Sequence, residues 1–182
     1  SSTWTSRPTM KIFRWNYVHD LILKHGWKKG AELGVSDGKF TSFLVKHVPD
    51  LHMISVDLWE SQPGNDLNPG GESYETWDHN KSYREFMEKI NTRKDRVTVY
   101  RMTTTEASKL VEDESLDFVF IDACHSFDCV VEDIHNWEPK VRKGGMVIGH
   151  DWPWPSVNKA VKSIYTENKI HIGPNKCWEV WK

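Results

Sequence analysis

The chain has 182 residues, 27% of them charged and 38% hydrophobic, and a formal net charge of −2 at pH 7. This near-neutral charge disfavours a broad nucleic-acid-binding surface, and no apolar run reaches the roughly 20 residues that cross a bilayer. A chain of this length suits one domain with a core of its own. We therefore expect a single domain over residues 1–182, with residues 1–9 flexible.

Apolar residues recur along the chain in alternating helical and strand patterns. A first helical face of Trp15, Val18, Leu21 and Ile22 ends at Gly26. Strand patterns then occur at residues 31–35, 51–57, 96–101, 115–122 and 146–152 and, around a Gly-Pro-Asn turn, at 169–172 and 176–181. We predict an α/β fold, a doubly wound and mostly parallel seven-stranded sheet with helices on both faces and an antiparallel C-terminal strand.

A glycine-containing loop follows the first strand pattern and precedes a helical one, with the spacing Glu32-x-Gly34-x-x-x-Gly38. Strand, glycine loop and helix together place backbone N–H groups against a nucleotide-like ligand. Asp57 ends the second strand pattern, where a carboxylate in nucleotide-binding α/β folds accepts hydrogen bonds from ribose hydroxyls. The alternative role for Asp57 is that of a strand-end cap.

Residues 58–81 interrupt the alternation with glycines, prolines, acidic residues and aromatic residues. An insertion of this length within a compact domain is usually functional or disordered. Its aromatic residues Trp59, Tyr74 and Trp77 argue against simple disorder. We predict a lid-like insertion that closes over a small, partly planar or sugar-like molecule.

The most specific motifs of the chain lie between Ile121 and Trp152. This run reads I-D-A-x-H-S-F, then D-I-x-x-W-x-P, then G-G-x-x-x-G-H-D. With the glycine loop and Asp57, it resembles a group of small class I S-adenosylmethionine-dependent methyltransferases. The resemblance implies a Rossmann-like methyltransferase fold and methyl transfer from S-adenosylmethionine to a small-molecule acceptor, with a hydroxyl oxygen as the favoured target.

The resemblance also implies where the cofactor binds. Thr103 and Thr104 stand where methyltransferases commonly contact adenine, although threonines at a helix start are often caps. The implied cofactor-binding residues are Glu32, Gly34, Val35, Ser36, Gly38, Asp57, Leu58, Thr103, Thr104, Asp122 and Ala123.

Several ionisable side chains end predicted strands and therefore face one crevice at the carboxyl edge of the sheet, namely Asp57, Asp122, His150 and Asp151. Two mechanisms stay open for this cluster. In the first, Asp122, His150 and Asp151 bind a divalent cation such as Mg²⁺ or Mn²⁺, which lowers the pKa of the acceptor hydroxyl. In the second, no metal binds, and His125 or His150 is the general base, oriented by Asp122 or Asp151.

The metal-assisted mechanism follows from a similarity to the catechol-type O-methyltransferases. Asp122 and Asp151 fall on the first and last of their metal ligands, and His125 falls at the position of their catalytic lysine. His150 replaces an acidic ligand, which favours Mn²⁺, Fe²⁺ or Zn²⁺ over Mg²⁺. A purely structural role, as a cap or as part of the pocket wall, is the third alternative.

Other classes of protein fit the sequence less well. A nicotinamide-dependent oxidoreductase would share the glycine loop and Asp57, but the third glycine of its motif is missing. A DNA amino-methyltransferase would carry D/N-P-P-Y/F after the fourth strand, and the chain has Asp-Ala-Cys-His there. The charge disfavours an RNA ribose methyltransferase. A protein that binds S-adenosylmethionine without catalysis stays open, as does a homo-oligomer.

The three cysteines, Cys124, Cys129 and Cys177, are an odd number and lack C-x-x-C spacing. This pattern favours reduced thiols over a disulfide framework. We therefore expect a cytoplasmic protein.

Overall fold

The structure is a computed structural model that describes residues 11–61 and 77–182. Its helices are α1 Arg14–His25, α2 Lys39–His47, α3 His79–Lys89, α4 Thr104–Ser108, α5 Phe127–Trp137 and α6 Pro155–Ile164. Its strands are β1 Lys29–Leu33, β2 His52–Asp57, β3 Val97–Arg101, β4 Leu116–Ile121, β5 Val141–Gly149, β6 His171–Ile172 and β7 Trp178–Trp181.

The strands form one seven-stranded sheet in the order β3-β2-β1-β4-β5-β7-β6. The first five strands are parallel, and β7 runs antiparallel to both β5 and β6. This confirms the predicted fold. The chain order reverses between β1 and β4, which places the topological switch point, where open α/β sheets bind ligands, at the carboxyl ends of these two strands.

Helices cover both faces of the sheet. On one face, buried side chains of α1, α2 and α3, such as Ile22, Phe40 and Phe86, pack against the sheet. On the other face, α4, α5 and α6 present residues such as Ile134 and Val161. Burying apolar side chains on both faces leaves the two ends of the sheet as places for polar chemistry.

The second half of the sheet departs from the sequence prediction at Gly144 and Gly145. The sequence predicts a turn there, with the strand beginning at Met146, whereas β5 already begins at Val141. The ladder between β4 and β5 contains a register shift between Leu116 and Phe118. A β-bulge lets a strand continue through two glycines, although such a pair in a sequence usually indicates a turn.

The predicted lid, residues 58–81, lies largely outside the described residues, and its closure stays a prediction. Its two described ends border the same cavity, through Trp59, Glu60 and Ser61 on one side and Trp77 and His79 on the other. Among the described residues, no helix is both long and apolar enough to cross a membrane.

Candidate active site

A cavity of about 450 Å³ lies at the carboxyl ends of β1, β2, β4 and β5, which is within the usual size range of small-molecule sites. The loop after β1 forms one wall of the cavity. Gly34 allows this loop to pass close to the backbone of Asp122. Its φ is +87°, and a Cβ there would lie 2.1 Å from the carbonyl oxygen of Asp122. A side chain at position 34 would therefore separate β1 from β4 or fill the cavity.

Gly38 lies at the start of α2, on the side of the loop that faces α3. A Cβ at this position would lie 2.2 Å from the ring of Phe86 on α3, and Gly38 does not line the cavity. With a φ of +82°, it allows the chain to turn into α2 while α3 packs closely beside it. Its contact with a cofactor stays a prediction.

Asp57 ends β2 and holds the glycine loop in place. Its Oδ2 accepts hydrogen bonds from the backbone N–H groups of Val35 and Ser36, both at 2.9 Å. Its Oδ1 accepts one from the backbone N–H of Trp59 at 2.7 Å. The indole of Trp59 donates in turn to the carbonyl of Ser36 at 2.8 Å. Because a carboxylate has about four acceptor positions and three are occupied, Asp57 retains about one for a ribose hydroxyl while it supports the loop.

Glu32 lies beneath this loop rather than in the cavity. Its side chain is buried and accepts a hydrogen bond from the Thr41 hydroxyl at 2.7 Å. Burial raises the pKa of Glu32 to about 8, although the Thr41 hydrogen bond and the charge of Arg14 act in the opposite direction. Glu32 is therefore predominantly neutral at pH 7.

This buried carboxyl gives a prediction about stability. The native state keeps a proton on Glu32 that the unfolded chain releases, so the free energy of unfolding should fall as pH rises from about 4.5 to about 8. Glu32→Gln should remove about 2–4 kcal/mol of that pH dependence, at 1.36 kcal/mol for each pKa unit. Urea unfolding at pH 5 and pH 8 would measure it, with the exposed Glu112→Gln as the control. Equal pH dependence in the wild type and Glu32→Gln would contradict the prediction.

At the β4–β5 side of the cavity, a histidine lies between two carboxylates. Nε2 of His125 is 2.6 Å from Oδ2 of Asp151 and 3.5 Å from Oδ1 of Asp122. The His125 ring stacks on Trp154, with 4.5 Å between ring centroids. The hydroxyl of Ser156 donates to the carbonyl of His125 at 2.6 Å. These contacts fix the orientation of the imidazole.

The charges of this group follow from its geometry. Burial alone would lower the pKa of His125, but the hydrogen bonds and charges of Asp122 and Asp151 raise it to about 9. Burial would raise the pKa of Asp151, yet the two histidines His125 and His150 hold it well below its usual range. The resting site thus has an imidazolium between carboxylates at neutral pH.

His150 lies beside the same two carboxylates as His125. Its Nδ1 is 3.3 Å from Oδ1 of Asp151 and 3.8 Å from Oδ1 of Asp122, and its Nε2 is 3.2 Å from Oδ1 of Asn175. Its pKa is raised, because Asp151 and Asp122 outweigh burial. Both histidines therefore lie beside Asp122 and Asp151, and His125 makes the shorter contacts.

The ligand atoms of Asp122, His125 and Asp151 all lie within 4.8 Å of one another. The metal set predicted from sequence contained His150 in place of His125. Two carboxylates and one imidazole form a mixed oxygen and nitrogen donor set, which suits Mn²⁺, Fe²⁺ or Zn²⁺. The residues therefore fit a divalent cation, on the condition that His125 is deprotonated when it binds.

The cavity wall also contains backbone conformations that are uncommon outside glycine. Ser36, Trp59 and Asp151 all have positive φ angles, of 54°, 51° and 59°. All three residues line the cavity. Conformations of this kind occur frequently at functional sites, because surrounding contacts must hold them. Their concentration here is independent support for a binding or catalytic site.

Comparison with known proteins agrees with this geometry. The sequence profile of a methyltransferase-domain family matches residues 31–152, which contain the glycine loop, Asp57 and the Asp122–Asp151 cluster. The chain belongs to this methyltransferase-domain family. Its sheet and helices are those of the class I S-adenosylmethionine-dependent methyltransferases.

One curated protein is related to this methyltransferase domain at low identity. An uncharacterised protein of Sinorhizobium fredii is 28% identical over 134 residues, which are 74% of this chain and 14% of that protein. The chain thus spans about a seventh of the length of the curated relative that it matches.

Solved structures show the same fold at lower identity. A Staphylococcus aureus protein, described as a candidate caffeoyl-CoA O-methyltransferase, has a TM-score of 0.68 and 12% identity over 96% of this chain and 86% of its own. The O-methyltransferase from Bacillus cereus in complex with S-adenosylhomocysteine has a TM-score of 0.64 and 15% identity, covering 96% of this chain and 84% of its own.

Most residues predicted to bind the cofactor line the cavity of this methyltransferase domain: Gly34, Val35, Ser36, Asp57, Leu58, Thr104, Asp122 and Ala123. The exceptions are Glu32, Gly38 and Thr103. Thr103 caps α4, where its side chain accepts a hydrogen bond from the Glu106 N–H. The hydroxyl of Thr104 donates to the buried carboxyl of Asp133 at 2.6 Å, so its hydroxyl is already engaged.

Sequence reasoning missed the contribution of α1 to the site. Arg14 and Trp15, at the start of this helix, line the cavity beside Asp122. Both precede the first motif; the sequence pattern assigned Trp15 to the apolar face of the first helix and gave Arg14 no role. The one signal in the sequence that could have indicated them is an arginine next to an aromatic residue at the start of a predicted helix.

The prediction that the cysteines are reduced is wrong for one pair. Cys124 and Cys129 form a disulfide, with their Cα atoms 5.7 Å apart. Cys124 follows β4, and Cys129 lies in the first turn of α5, so the tight connection between these elements brings the two residues within disulfide range. Cys177 is free and buried.

Proposed function

We propose that this protein transfers a methyl group from S-adenosylmethionine to a hydroxyl oxygen of a small-molecule acceptor. The observation that carries the proposal is the position of the Asp122–His125–Asp151 cluster, which borders the same cavity as the glycine loop. A methyl donor in the loop would thus lie beside groups able to receive the proton of a hydroxyl.

The donor half of the cavity supports S-adenosylmethionine as the cofactor. Gly34 permits close approach of a ligand to the backbone, and Asp57 offers a carboxylate at the position suited to ribose hydroxyls. The order of the strands places Asp57 and Thr104 towards the β3 side and Asp122 towards the β5 side. S-adenosylmethionine bound with its adenosine over β2 would therefore direct its sulfonium towards β4.

Methyl transfer to oxygen is an in-line displacement, in which the acceptor must be held in a near-attack position and lose a proton. His125 can accept that proton on its imidazole once the ring is neutral, and Asp151, 2.6 Å from Nε2, then stabilises the imidazolium that forms. Trp154 stacks on the ring, and Ser156 holds the backbone carbonyl of His125. Proton transfer from the acceptor hydroxyl to His125 thus forms an imidazolium beside Asp151, which stabilises its positive charge.

Asp122, His125 and Asp151 are the residues that would hold a divalent cation. A bound cation would lower the pKa of the acceptor hydroxyl. In that case the carboxylates serve as ligands, and His125 no longer needs a proton of its own to separate them.

The size of the cavity supports a small acceptor. About 450 Å³ must hold both donor and acceptor, which leaves space for a molecule of a few rings at most. A net charge of −2 gives no general attraction for nucleic acid.

Calorimetry with S-adenosylhomocysteine, followed by methylation assays on a panel of catechols, phenols and sugars, tests the proposal. We expect S-adenosylhomocysteine to bind and at least one hydroxyl acceptor to be methylated. Parallel assays with EDTA and with added Mn²⁺ or Mg²⁺ separate the two mechanisms, because activity that persists in EDTA requires the metal-free one. Tight binding of NADH without any response to S-adenosylhomocysteine would refute the assignment, and binding without turnover would leave only a binding protein.

A further inference from the structure

Arg14 occupies an unusual position in the cavity. It is the first residue of α1, and its guanidinium carbon lies 5.0 Å from the ring centroid of Trp15. Its Nε is 3.6 Å from Oδ2 of Asp122, and the side chain is 28% exposed. Stacking on an aromatic face fixes the plane of a guanidinium and directs its N–H groups sideways. Here that places a fixed positive charge beside the carboxyl end of β4.

The guanidinium of Arg14 has no hydrogen-bond acceptor among residues 11–61 and 77–182, and its Nε is buried without one. The distance to Asp122 exceeds that of an N–H···O bond. The same carboxylate also faces His125 and His150, so it is shared among three cationic or ionisable groups. Glu32, the other nearby carboxyl, has a raised pKa and adds little negative charge at pH 7.

Lys39 provides a useful contrast, because it also lines the cavity. Its Nζ lies 3.7 Å from Oδ2 of Asp37, and its side chain is 61% exposed. A solvent-exposed ammonium of this kind is hydrated and mobile. Arg14 is instead held by Trp15 and partly desolvated, which makes an unused donor more costly.

We propose that Arg14, held against Trp15, forms a carboxylate-binding subsite in this cavity. The planar fork of a guanidinium matches the two oxygens of a carboxylate and forms charge-assisted hydrogen bonds with them. The inference rests on the proposed function for the identity of the ligands. The carboxylate belongs either to the amino-acid half of S-adenosylmethionine or to the acceptor.

Both sources can reach the subsite. Arg14 lies beside Asp122, and the Asp122 carbonyl packs against Gly34 of the glycine loop. The other flank of Asp122 is the His125–Asp151 pair. The subsite is therefore at the boundary between the donor half and the acceptor half of the cavity.

The first arm of the test concerns the donor. Affinities for S-adenosylhomocysteine and for 5′-methylthioadenosine, which lacks the amino-acid group, are measured by calorimetry for the wild type, Arg14→Gln and Lys39→Gln. If the donor supplies the carboxylate, Arg14→Gln should lose about 10–100-fold in affinity for S-adenosylhomocysteine and almost none for 5′-methylthioadenosine. Arg14→Lys should recover part of the loss. Lys39→Gln removes the same charge and should change both affinities much less.

The second arm concerns the acceptor. In the complex with S-adenosylhomocysteine, 3,4-dihydroxybenzoate and catechol differ only by a carboxylate. If the acceptor supplies the carboxylate, the wild type should bind 3,4-dihydroxybenzoate more tightly, and Arg14→Gln should abolish that preference while binding S-adenosylhomocysteine normally. Thermal unfolding of each variant without ligand checks that the fold is intact.

Absence of carboxylate dependence on Arg14 in both arms would overturn the subsite. That result is distinct from failure of the proposed function. If the wild type binds neither S-adenosylhomocysteine nor 5′-methylthioadenosine, the function is wrong. If it binds both and Arg14→Gln behaves identically, only the subsite is wrong.

Discussion

Replacing His125 with alanine should lower turnover by about 10²–10⁴-fold, the usual contribution of a general acid or base. Of the two histidines beside Asp122 and Asp151, His125 makes the shorter contacts, with its Nε2 2.6 Å from Oδ2 of Asp151. Affinity for S-adenosylhomocysteine should stay nearly unchanged, because the predicted cofactor contacts lie on the loop and on Asp57. Steady-state rates with an identified acceptor, together with calorimetry, measure both quantities.

The pH profile gives the same prediction a sharper form. In the metal-free mechanism, turnover should rise with pH towards about 9, because the charges of Asp122 and Asp151 raise the pKa of His125 to about 9 and keep the ring an imidazolium below that pH. Asp151→Asn removes one of those charges, so the rise should move to lower pH. A substitution at the exposed His171 serves as the control. Full activity of His125→Ala, or a pH profile identical in Asp151→Asn, would exclude His125 as the base.

Asp57→Ala should weaken binding of S-adenosylhomocysteine by about 1.5–3 kcal/mol through the loss of charge-assisted hydrogen bonds. The structure adds a second cause, since the same carboxylate accepts N–H groups of Val35, Ser36 and Trp59. Part of the loss would thus come from a displaced loop rather than from the ribose. Calorimetry alone does not separate these two contributions.

Adenosine and 2′,3′-dideoxyadenosine separate them as competitors of S-adenosylhomocysteine. If Asp57 binds the ribose hydroxyls, the wild type prefers adenosine and Asp57→Ala loses that preference. If Asp57 acts only as a strand-end cap, the substitution weakens both competitors by the same factor. The second result would remove Asp57 from the list of direct cofactor contacts while keeping its role in the loop.

The order of strands and helices could be read from the sequence, because each element carries its own apolar pattern. The strand that ends in Asp57 is an uninterrupted buried run, and the helix from Phe127 to Trp137 repeats its apolar residues at helical spacing. Motifs next to strand ends also predict which side chains share the carboxyl edge. Local patterns are less informative where a bulge carries a strand through glycines, as at Gly144 and Gly145.

The sequence by itself determined the fold, the methyltransferase family and the set of ionisable residues at the edge of the sheet, because these depend on periodicity and on local motifs. Only the tertiary structure decided how those residues are used. It buried Glu32 under the loop, placed His125 within 2.6 Å of Asp151, and brought Arg14 from α1 to Asp122. These outcomes depend on distances of a few ångströms between segments far apart in the chain, which result from the packing of side chains and cannot be read from spacing along the sequence.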